Sequence, residues 1–315
     1  MWSSHNIGII EGNMRILITG GAGYIGTQTV EELSKNLQVS EIVVYDNLSH
    51  GRHGFFFGER IQGARIRFIR GELLDTRTLK KALIGIDVVL HFAAKVSTPF
   101  AQGDPHSFEQ VNHWGTAELS YLLEESDVKR VVYLSSASVY GLSKGVRSLS
   151  DKPEPNTWYG TSKLRGEQMM LRLQNKMDVL VLRCANVYGY SPSIRFDAVI
   201  NRFVREAHFE RKITIEGNGA QKRPFVHIDR VGKILAYSAM NTIPLKTLHV
   251  VDDNMTIWQI VEHLKDLYSD LEMIFVEQDI PRASLEIEQS PELEHIPRLS
   301  FQENITDFFE RARFS

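Results

Sequence analysis

Tyr159 and Lys163 stand four residues apart in "NTWYGTSKLRGEQMM", residues 156–170, at the head of a stretch with helical character. On a helix that spacing puts phenol and ammonium on one face. A free phenol, with a pKa of about 10, is a poor base at neutral pH. A cation beside it favours the phenolate and brings it toward the working range. Ser135 and Ser136, in "VVYLSSASVYG", end an apolar strand and offer a hydroxyl to orient a substrate oxygen. Each piece has a plain alternative, because Tyr-x-x-x-Lys pairs arise by chance on helices and serines commonly close strands. Position in the chain makes the pieces constrain one another, since they follow a glycine turn.

That turn lies in "RILITGGAGYIGTQTV", where Gly20, Gly23 and Gly26 have the spacing G-x-x-G-x-x-G between a strand and a helix. Glycine permits the tight turn, lets backbone approach a pyrophosphate, and lets the helix pack close to the strand. The helix start supplies unpaired N–H groups and a positive dipole end for phosphates. Asp46 closes the apolar strand "EIVVYD", twenty residues past Gly26. An acid there accepts hydrogen bonds from an adenosine ribose and repels a 2′-phosphate, which favours NAD over NADP. Two alternatives stay open: Asp46 can be a turn-former in "DNLSHG", and Arg52 is a nearby cation suited to a 2′-phosphate. An oxidised nicotinamide would add its charge to that of Lys163 in favouring a phenolate.

Something must hold these residues together. Apolar, β-branched runs at 15–19, 41–45, 65–70, 87–92, 129–135 and 179–183 alternate with helical stretches at 24–36, 76–84, 107–126 and 159–176. The alternation predicts βαβ units, hence an α/β fold with a Rossmann-type doubly wound parallel sheet. "VVLHF" and "VVYLS" lack polar alternation, as strands covered on both faces do. Past Cys184 the pattern loosens into Gly-, Ser-, Pro- and Asn-rich loops, a helix at 197–209, a strand near 248–251, and the amphipathic "TIWQIVEHLKDLY". The expected division is a flexible extension at 1–13, an NAD-binding domain at 14–183 with about 226–251, and a smaller C-terminal substrate-binding lobe from 184–225 and 252–315. The cleft between them would lie over the carboxyl edge of the sheet, where open α/β sheets bind ligands.

A formal net charge of −3, from 36 basic and 39 acidic residues, argues against nucleic acid or an anionic membrane as the main partner. The single cysteine, Cys184, excludes an intramolecular disulfide and fits a reducing compartment, so a cytoplasmic location is expected. No apolar run approaches the ~18 residues of a membrane helix, and the first thirteen residues lack a basic segment before their short apolar part. No metal ligand set is expected.

The blocks "TGGAGYIG", "YDNLS", "GELLD", "VVLHFAA", "VNHWGTAEL", "VVYLSSASVYG", "YGTSK", "RCANVYG" and "GNGAQKRPFVHID" run in order over about seven-tenths of the chain. In that ordered set the sequence resembles the extended short-chain dehydrogenase/reductase family, in its nucleotide-sugar epimerase and dehydratase branch. The resemblance implies that Gly20, Gly23, Tyr24, Ile25 and Gly26 line the cofactor pyrophosphate and that Asp46 and Asn47 hold its ribose. Glu72 and Leu73 would cup the adenine, with Glu72 in place of the usual Asp. Ala93, Ala94 and Lys95 would lie beside the nicotinamide ribose, and Asn112 under the cofactor. Ser136, Tyr159 and Lys163 match the catalytic set. On the substrate side Asn186 and Arg223 match contacts to a nucleotide diphosphate, and Val199 and Phe203, with the strand-turn "ITIEGNG", would border the nucleobase.

Some positions depart from the family's habit. Arg223 is followed by Pro224 rather than Asp, and Trp158 stands where Pro is frequent before the tyrosine. Near the second phosphate arginine of the family, "FVEQDIPRAS" offers Val276, acids and Arg282. Ala137 and Ser138 follow the catalytic serine where dehydratases of the branch carry an acid pair, which suits an epimerase acting through a transient keto-sugar. A 4-epimerase is therefore the expectation. The alternatives are an NDP-keto-sugar reductase or dehydrogenase, and a non-catalytic NAD-binding regulatory protein. The resemblance also implies a homodimer built on the helices at 107–126 and 159–176. Trp114, Leu119, Leu122, Met169, Met170 and Leu173 there suit either a core or an interface.

Overall fold

The computed structural model describes residues 13–49, 51, 53–58, 61–96, 104–142, 145–276 and 284–312. Most of the expected 1–13 extension, together with Arg52 and Arg282, lies outside the described residues. In chain order the strands are β1 Met14–Thr19, β2 Val39–Asp46, β3 Arg65–Arg70, β4 Val88–His91, β5 Arg130–Ser136, β6 Val146–Arg147 and β7 Asp178–Cys184. There follow β8 Asn186–Tyr188, β9 Lys212–Glu216, β10 Lys222–His227, β11 Thr247–Val250, β12 Asp253–Thr256, β13 Glu272–Val276 and β14 Glu286–Ile287. The helices are α1 Tyr24–Ser34, α2 Gly54–Phe57, α3 Thr76–Ala82, α4 Pro105–Phe108, α5 Gly115–Glu124 and α6 Trp158–Leu171. The remaining four are α7 Val199–Glu210, α8 Ile228–Met240, α9 Ile257–Leu267 and α10 Phe301–Ala312.

Seven strands form one parallel sheet in the order β11-β7-β5-β4-β1-β2-β3. The chain leaves β1 toward β2 and β3, then returns to lay β4 on its other side. The carboxyl ends of β1 and β4 therefore flank the point where strand order reverses, and a crevice opens there. Side chains alternate between two apolar clusters, as a sheet covered on both faces requires. Ile16, Ile18, Val132 and Leu134 join Val30 and Leu33 of α1 and Ile234 of α8 on one face. Leu17, Val131 and Tyr133 join Leu79 of α3, Leu119 of α5 and Met170 of α6 on the other. A third cluster gathers Phe203 and Val204 of α7, Ile213 and Ile215 of β9, Ile260 of α9 and Phe308 of α10 beyond the sheet.

Two departures from the sequence expectation matter for the cleft. The expected helix at 107–126 is α4 and α5 joined by a π-helical segment, Glu109–Trp114, a widened turn of the kind that recurs at functional sites. The segment after Cys184 builds a second small sheet, β12-β10-β8, in which β10 pairs parallel with β8 and antiparallel with β12. Of the residues that suit core or interface, Leu119, Leu122, Met170 and Leu173 are buried within the chain, while Trp114 is 52% exposed.

Candidate active site

A cleft of about 1060 Å³ runs along the carboxyl edge of the sheet. At one end lies the glycine turn. Gly20 has φ +71°, and a Cβ there would meet Ala93 N at 2.6 Å, so the turn after β1 touches the loop after β4. At Gly26 a Cβ would meet the Gly20 carbonyl oxygen at 2.4 Å, and at Gly23 the same oxygen at 3.2 Å. Gly23 is the N-cap of α1 and contributes no side-chain cap. The result is a backbone cradle with helix N–H groups at its floor, a shape that suits a pyrophosphate.

Asp46 makes the expected local turn and also does something the sequence did not suggest. Its carboxylate accepts from Leu48 N–H at 2.8 Å, which is the local turn, and from Ala22 N–H at 3.1 Å, which braces the glycine loop. It lines the cleft as well. Asn47 donates to Glu72 at 2.9 Å, so these two side chains close the rim beside Leu73. Ile25, Ala93, Ala94 and Lys95 also line the cleft. Tyr24 lines it too, but its phenol donates to the Gly189 carbonyl at 2.6 Å and is buried, which raises its pKa.

Asn112 sits differently from expectation. It is 1% exposed, lies on the π segment, and is absent from the cleft wall. Its Oδ1 accepts from Lys95 N–H at 2.7 Å, and its Nδ2 donates to the Lys95 carbonyl at 2.9 Å and to Ser162 Oγ at 3.0 Å. Asn112 thus ties the loop after β4 to helix α6 from behind.

The other end of the cleft carries Ser136, Tyr159 and Lys163. Helix α6 lies close on β5 because two of its residues lack side chains. A Cβ at Gly166 would meet the Tyr133 hydroxyl at 2.2 Å, and one at Gly160 the Ser138 carbonyl oxygen at 2.4 Å. Thr157 begins the helix, its hydroxyl accepting from Gly160 N–H at 3.0 Å. Ser136 ends β5, where its Oγ accepts from Ser138 N–H at 3.1 Å and its hydroxyl favours ionisation of the Tyr159 phenol. The ammonium of Lys163, 2% exposed, lies 4.3 Å from the Tyr133 ring centroid.

Burial governs the electrostatics of this pair. It pulls the Lys163 pKa down to about 7, with the Glu167 carboxylate as the main opposing influence. The Tyr159 pKa is raised by burial, opposed by the Ser136 hydroxyl and by the Arg195 charge. The sequence led us to expect a phenol lowered by its lysine, but in the protein alone the cost of removing a phenolate from water prevails. Glu167 itself is 1% exposed and accepts from Ser135 Oγ at 2.6 Å and from Arg183 at 3.0 and 2.8 Å.

On the remaining wall, Asn186 donates to the Pro224 carbonyl at 3.0 Å, and Arg223 of β10 and Val199 at the start of α7 line the cleft. Phe203 does not. It is 1% exposed inside the third cluster, because it lies on the inner face of α7. Sequence reasoning singled out Ser138 but missed Asn156, Arg195, Asp197, Arg202 and Gln221, and all six line the cleft. The one available signal was "RFD", two opposite charges two residues apart in an otherwise uncharged loop.

A doubly wound parallel sheet with a glycine cradle and a Ser–Tyr–Lys group on one cleft defines a nucleotide-binding α/β protein equipped for acid/base chemistry. The chain belongs to the NAD dependent epimerase/dehydratase family, whose model matches residues 16–243. A Bacillus subtilis protein described as an uncharacterized UDP-glucose epimerase is 30% identical over 221 residues, 68% of this chain and 69% of that one. A dTDP-glucose 4,6-dehydratase of Streptomyces niveus is 28% identical over 222 residues, 68% of this chain. That match spans 66% of the dehydratase, and a UDP-glucose 4-epimerase of Bacillus subtilis is spanned over 55% of its length. Among solved structures, MoeE5 in complex with UDP-glucose and NAD superposes with TM-score 0.81 at 26% identity, covering 95% of this chain and 98% of that one. Epimerases and dehydratases thus both occur among the relatives.

Proposed function

We propose that this protein is an NAD-dependent nucleotide-sugar 4-epimerase. The observation that carries the reading is the meeting of Ser136, Tyr159 and Lys163 at one end of a cleft whose other end is the glycine cradle with Asp46. Residues 14–183 with about 226–251 then hold the cofactor, and 184–225 with 252–315 hold the sugar nucleotide. The small residues Ala137 and Ser138 beside Ser136 favour epimerisation over dehydration, since no carboxylate stands there to move a second proton and a hydroxyl.

NAD, when bound, supplies a reversible hydride acceptor. The side chains manage the proton and the position. Tyr159 takes the proton of the sugar C4 hydroxyl and later returns it, leaving a keto-sugar between the two events. Ser136 orients that oxygen through its hydroxyl. Lys163, as the ammonium, offsets the charge of the phenolate and thereby makes the phenol usable. Arg223 and Asn186 hold the diphosphate, for which a guanidinium fork is suited. The same reading includes a cytoplasmic location and a homodimer through α6 and the helical run that ends in α5, where Trp114 of the π segment and Tyr121 of α5 are exposed.

The test is mass spectrometry of ligands that copurify, followed by a panel of UDP- and dTDP-hexoses. Bound NAD with interconversion of a hexose pair, and no net NADH, is expected. Net NAD(P)H consumption on a keto-sugar would instead mark a reductase. Tight NAD binding without turnover over the whole panel would mark a regulatory protein.

A further inference from the structure

Helix α6 turns Lys163, Gly166 and Glu167, three and four residues apart, onto strand β5. Gly166 makes the contact close, because a Cβ there would meet the Tyr133 hydroxyl at 2.2 Å. Tyr133 and Ser135 are two apart on β5 and so point to the same side of the sheet. Helix and strand therefore match in pairs. Lys163 stands over Tyr133 with its Nζ 4.3 Å from the ring centroid. Glu167 stands over Ser135 and accepts from its hydroxyl at 2.6 Å.

The two pairs differ in what they satisfy. Lys163 Nζ lies in the cleft wall and makes no hydrogen bond or ion pair among the described residues. An ammonium taken out of water without acceptors is costly. Glu167, the only carboxylate of α6, is already engaged by Arg183 at 3.0 and 2.8 Å as well as by Ser135. What stands close to the ammonium is the ring of Tyr133, itself fully buried. An aromatic face carries negative charge density, and it attracts a cation most where water is excluded.

The other titratable groups near this amine supply no counter-charge. Burial raises the phenol of Tyr159 and pushes the Cys184 thiol of β7 up to about 12, so both are neutral in the protein alone. His91 of β4, the register partner of Tyr133, is bonded to Thr19 at 2.6 Å and to Thr116 at 2.9 Å. Burial pulls it down to about 3, so no second cation competes for the ring. On the helical segments against α6, Glu109 pairs with His113 and Arg165, Glu124 pairs with Arg172, Glu118 accepts from Thr76, and His106 is exposed.

We propose that Tyr133 is a positioning residue for the acid/base step: its ring face holds Lys163 as an ammonium at the cleft wall without lending it a counter-charge. The proposal rests on the roles given above to Tyr159 and Lys163. A carboxylate in that place would hold the ammonium more tightly. It would also cancel the charge that the phenolate needs, and repel the phenolate itself. A ring stabilises the cation and stays neutral. Arg183 contributes from behind, since by engaging Glu167 it keeps the carboxylate of α6 from pairing with Lys163.

The experiment follows the titration of Lys163 by carbon NMR at lysine Cε in the NAD-loaded protein, the signal being assigned by its loss in Lys163→Met. Wild type is compared with Tyr133→Phe, with Tyr133→Leu, and with proteins carrying singly and triply fluorinated phenylalanine at that position. Fluorination drains the face of negative charge and nearly preserves the shape of the ring. From Tyr133→Phe to the triply fluorinated ring, Lys163 should lose its proton at a pH lower by roughly 0.5–1 unit. At pH 7 kcat should fall about 3- to 10-fold over the same series, with KM and bound NAD held. Tyr133→Phe keeps the face and should match wild type in both readings. An unmoved titration and rate across the fluorinated series would overturn the inference whatever Tyr133→Leu does, because a ring that only fills space is indifferent to its fluorines. A Tyr133→Phe protein that already showed the whole effect would also overturn it, by assigning the effect to the hydroxyl. A graded titration without turnover of any sugar nucleotide would uphold the inference about Lys163 and sink the epimerase reading.

Discussion

Helices α1 and α6 both begin at the cleft, and they serve it by opposite means. α1 starts at Gly23 with no side-chain cap and presents bare backbone. α6 starts at Thr157, whose hydroxyl satisfies Gly160 N–H, and presents the side chains Tyr159 and Lys163. A missing cap alone says little, for α7 and α8 also begin without one. What sets α1 apart is that its cap is itself a glycine, in a turn where Gly20 and Gly26 bring backbone against backbone, whereas the one such contact at the start of α6, Gly160 on the Ser138 oxygen, seats that helix on the segment after β5. One helix start is shaped to be finished by a ligand's phosphates. The other is finished internally, so that its charged and phenolic groups keep their geometry. Recognition by backbone and chemistry by side chain are thereby separated, and substitutions at the two starts should fail differently.

The largest effect should come from Tyr159→Phe. General acid/base groups contribute about 10² to 10⁴ in rate, so kcat should fall by roughly 10³. NAD content and thermal stability should hold, because the ring still fills the wall against Phe108, 6.0 Å between centroids. Near-normal turnover in this variant would end the proposed role.

Gly26→Val should fail at binding instead. Any Cβ there falls 2.4 Å from the Gly20 oxygen, a backbone atom that cannot swing aside. The turn must open, at a cost of about 1–3 kcal/mol for overpacking, and copurified NAD should be lost. Gly145→Ala is the control, since a Cβ there meets nothing within 4 Å among the described residues. A Gly26→Val protein that retained NAD would erase the contrast between the two helix starts.

The same separation explains what could be read from the sequence. The strands of the large sheet, the glycine spacing and Asp46 were legible because they are local: period, turn chemistry and residue type sit within a few positions. Ser136, Tyr159 and Lys163 were legible only through their order in the chain. The wall contributed by the C-terminal third was largely hidden. Arg195 reaches the cleft through bonds from Asn201, Ser191 and Ser193 to Tyr24 and Ala22 around the glycine turn, and partners some 170 positions apart leave no local pattern. Phe203 was misplaced for a related reason. Helical periodicity shows that α7 has an apolar face, but not that this face turns to a third core rather than to a nucleobase. The π segment around Asn112 was read as plain helix because its side-chain pattern is nearly helical.

Lys163 sharpens the view that α6 trades stability for chemistry. Its folded pKa of about 7 lies below its ordinary value of 10.5. Between those values the unfolded chain binds more protons than the folded one, so this group makes stability rise with pH over that window. Below about pH 7 the buried ammonium imposes its full cost. Lys163→Met should therefore melt at least ~2 °C above wild type at pH 6, with the gap narrowing toward pH 10. A gap independent of pH would show that the amine is not the source.

Thr157→Ala should give the smallest effect and the most discriminating one. It removes the acceptor of Gly160 N–H and leaves an open start resembling that of α1. N-cap losses cost about 1 kcal/mol, which the fold can absorb. Tyr159 is the second residue of this helix, so fraying of the first turn acts directly on the phenol. Lys163, one turn further in and packed on Tyr133, stays in place. The expected result is a fall in kcat of about 3- to 10-fold, comparable to that 1 kcal/mol, with KM and bound NAD held. A loss of NAD with kcat intact would mean that the start of α6 serves binding as that of α1 does, and that the two helices are not divided by task.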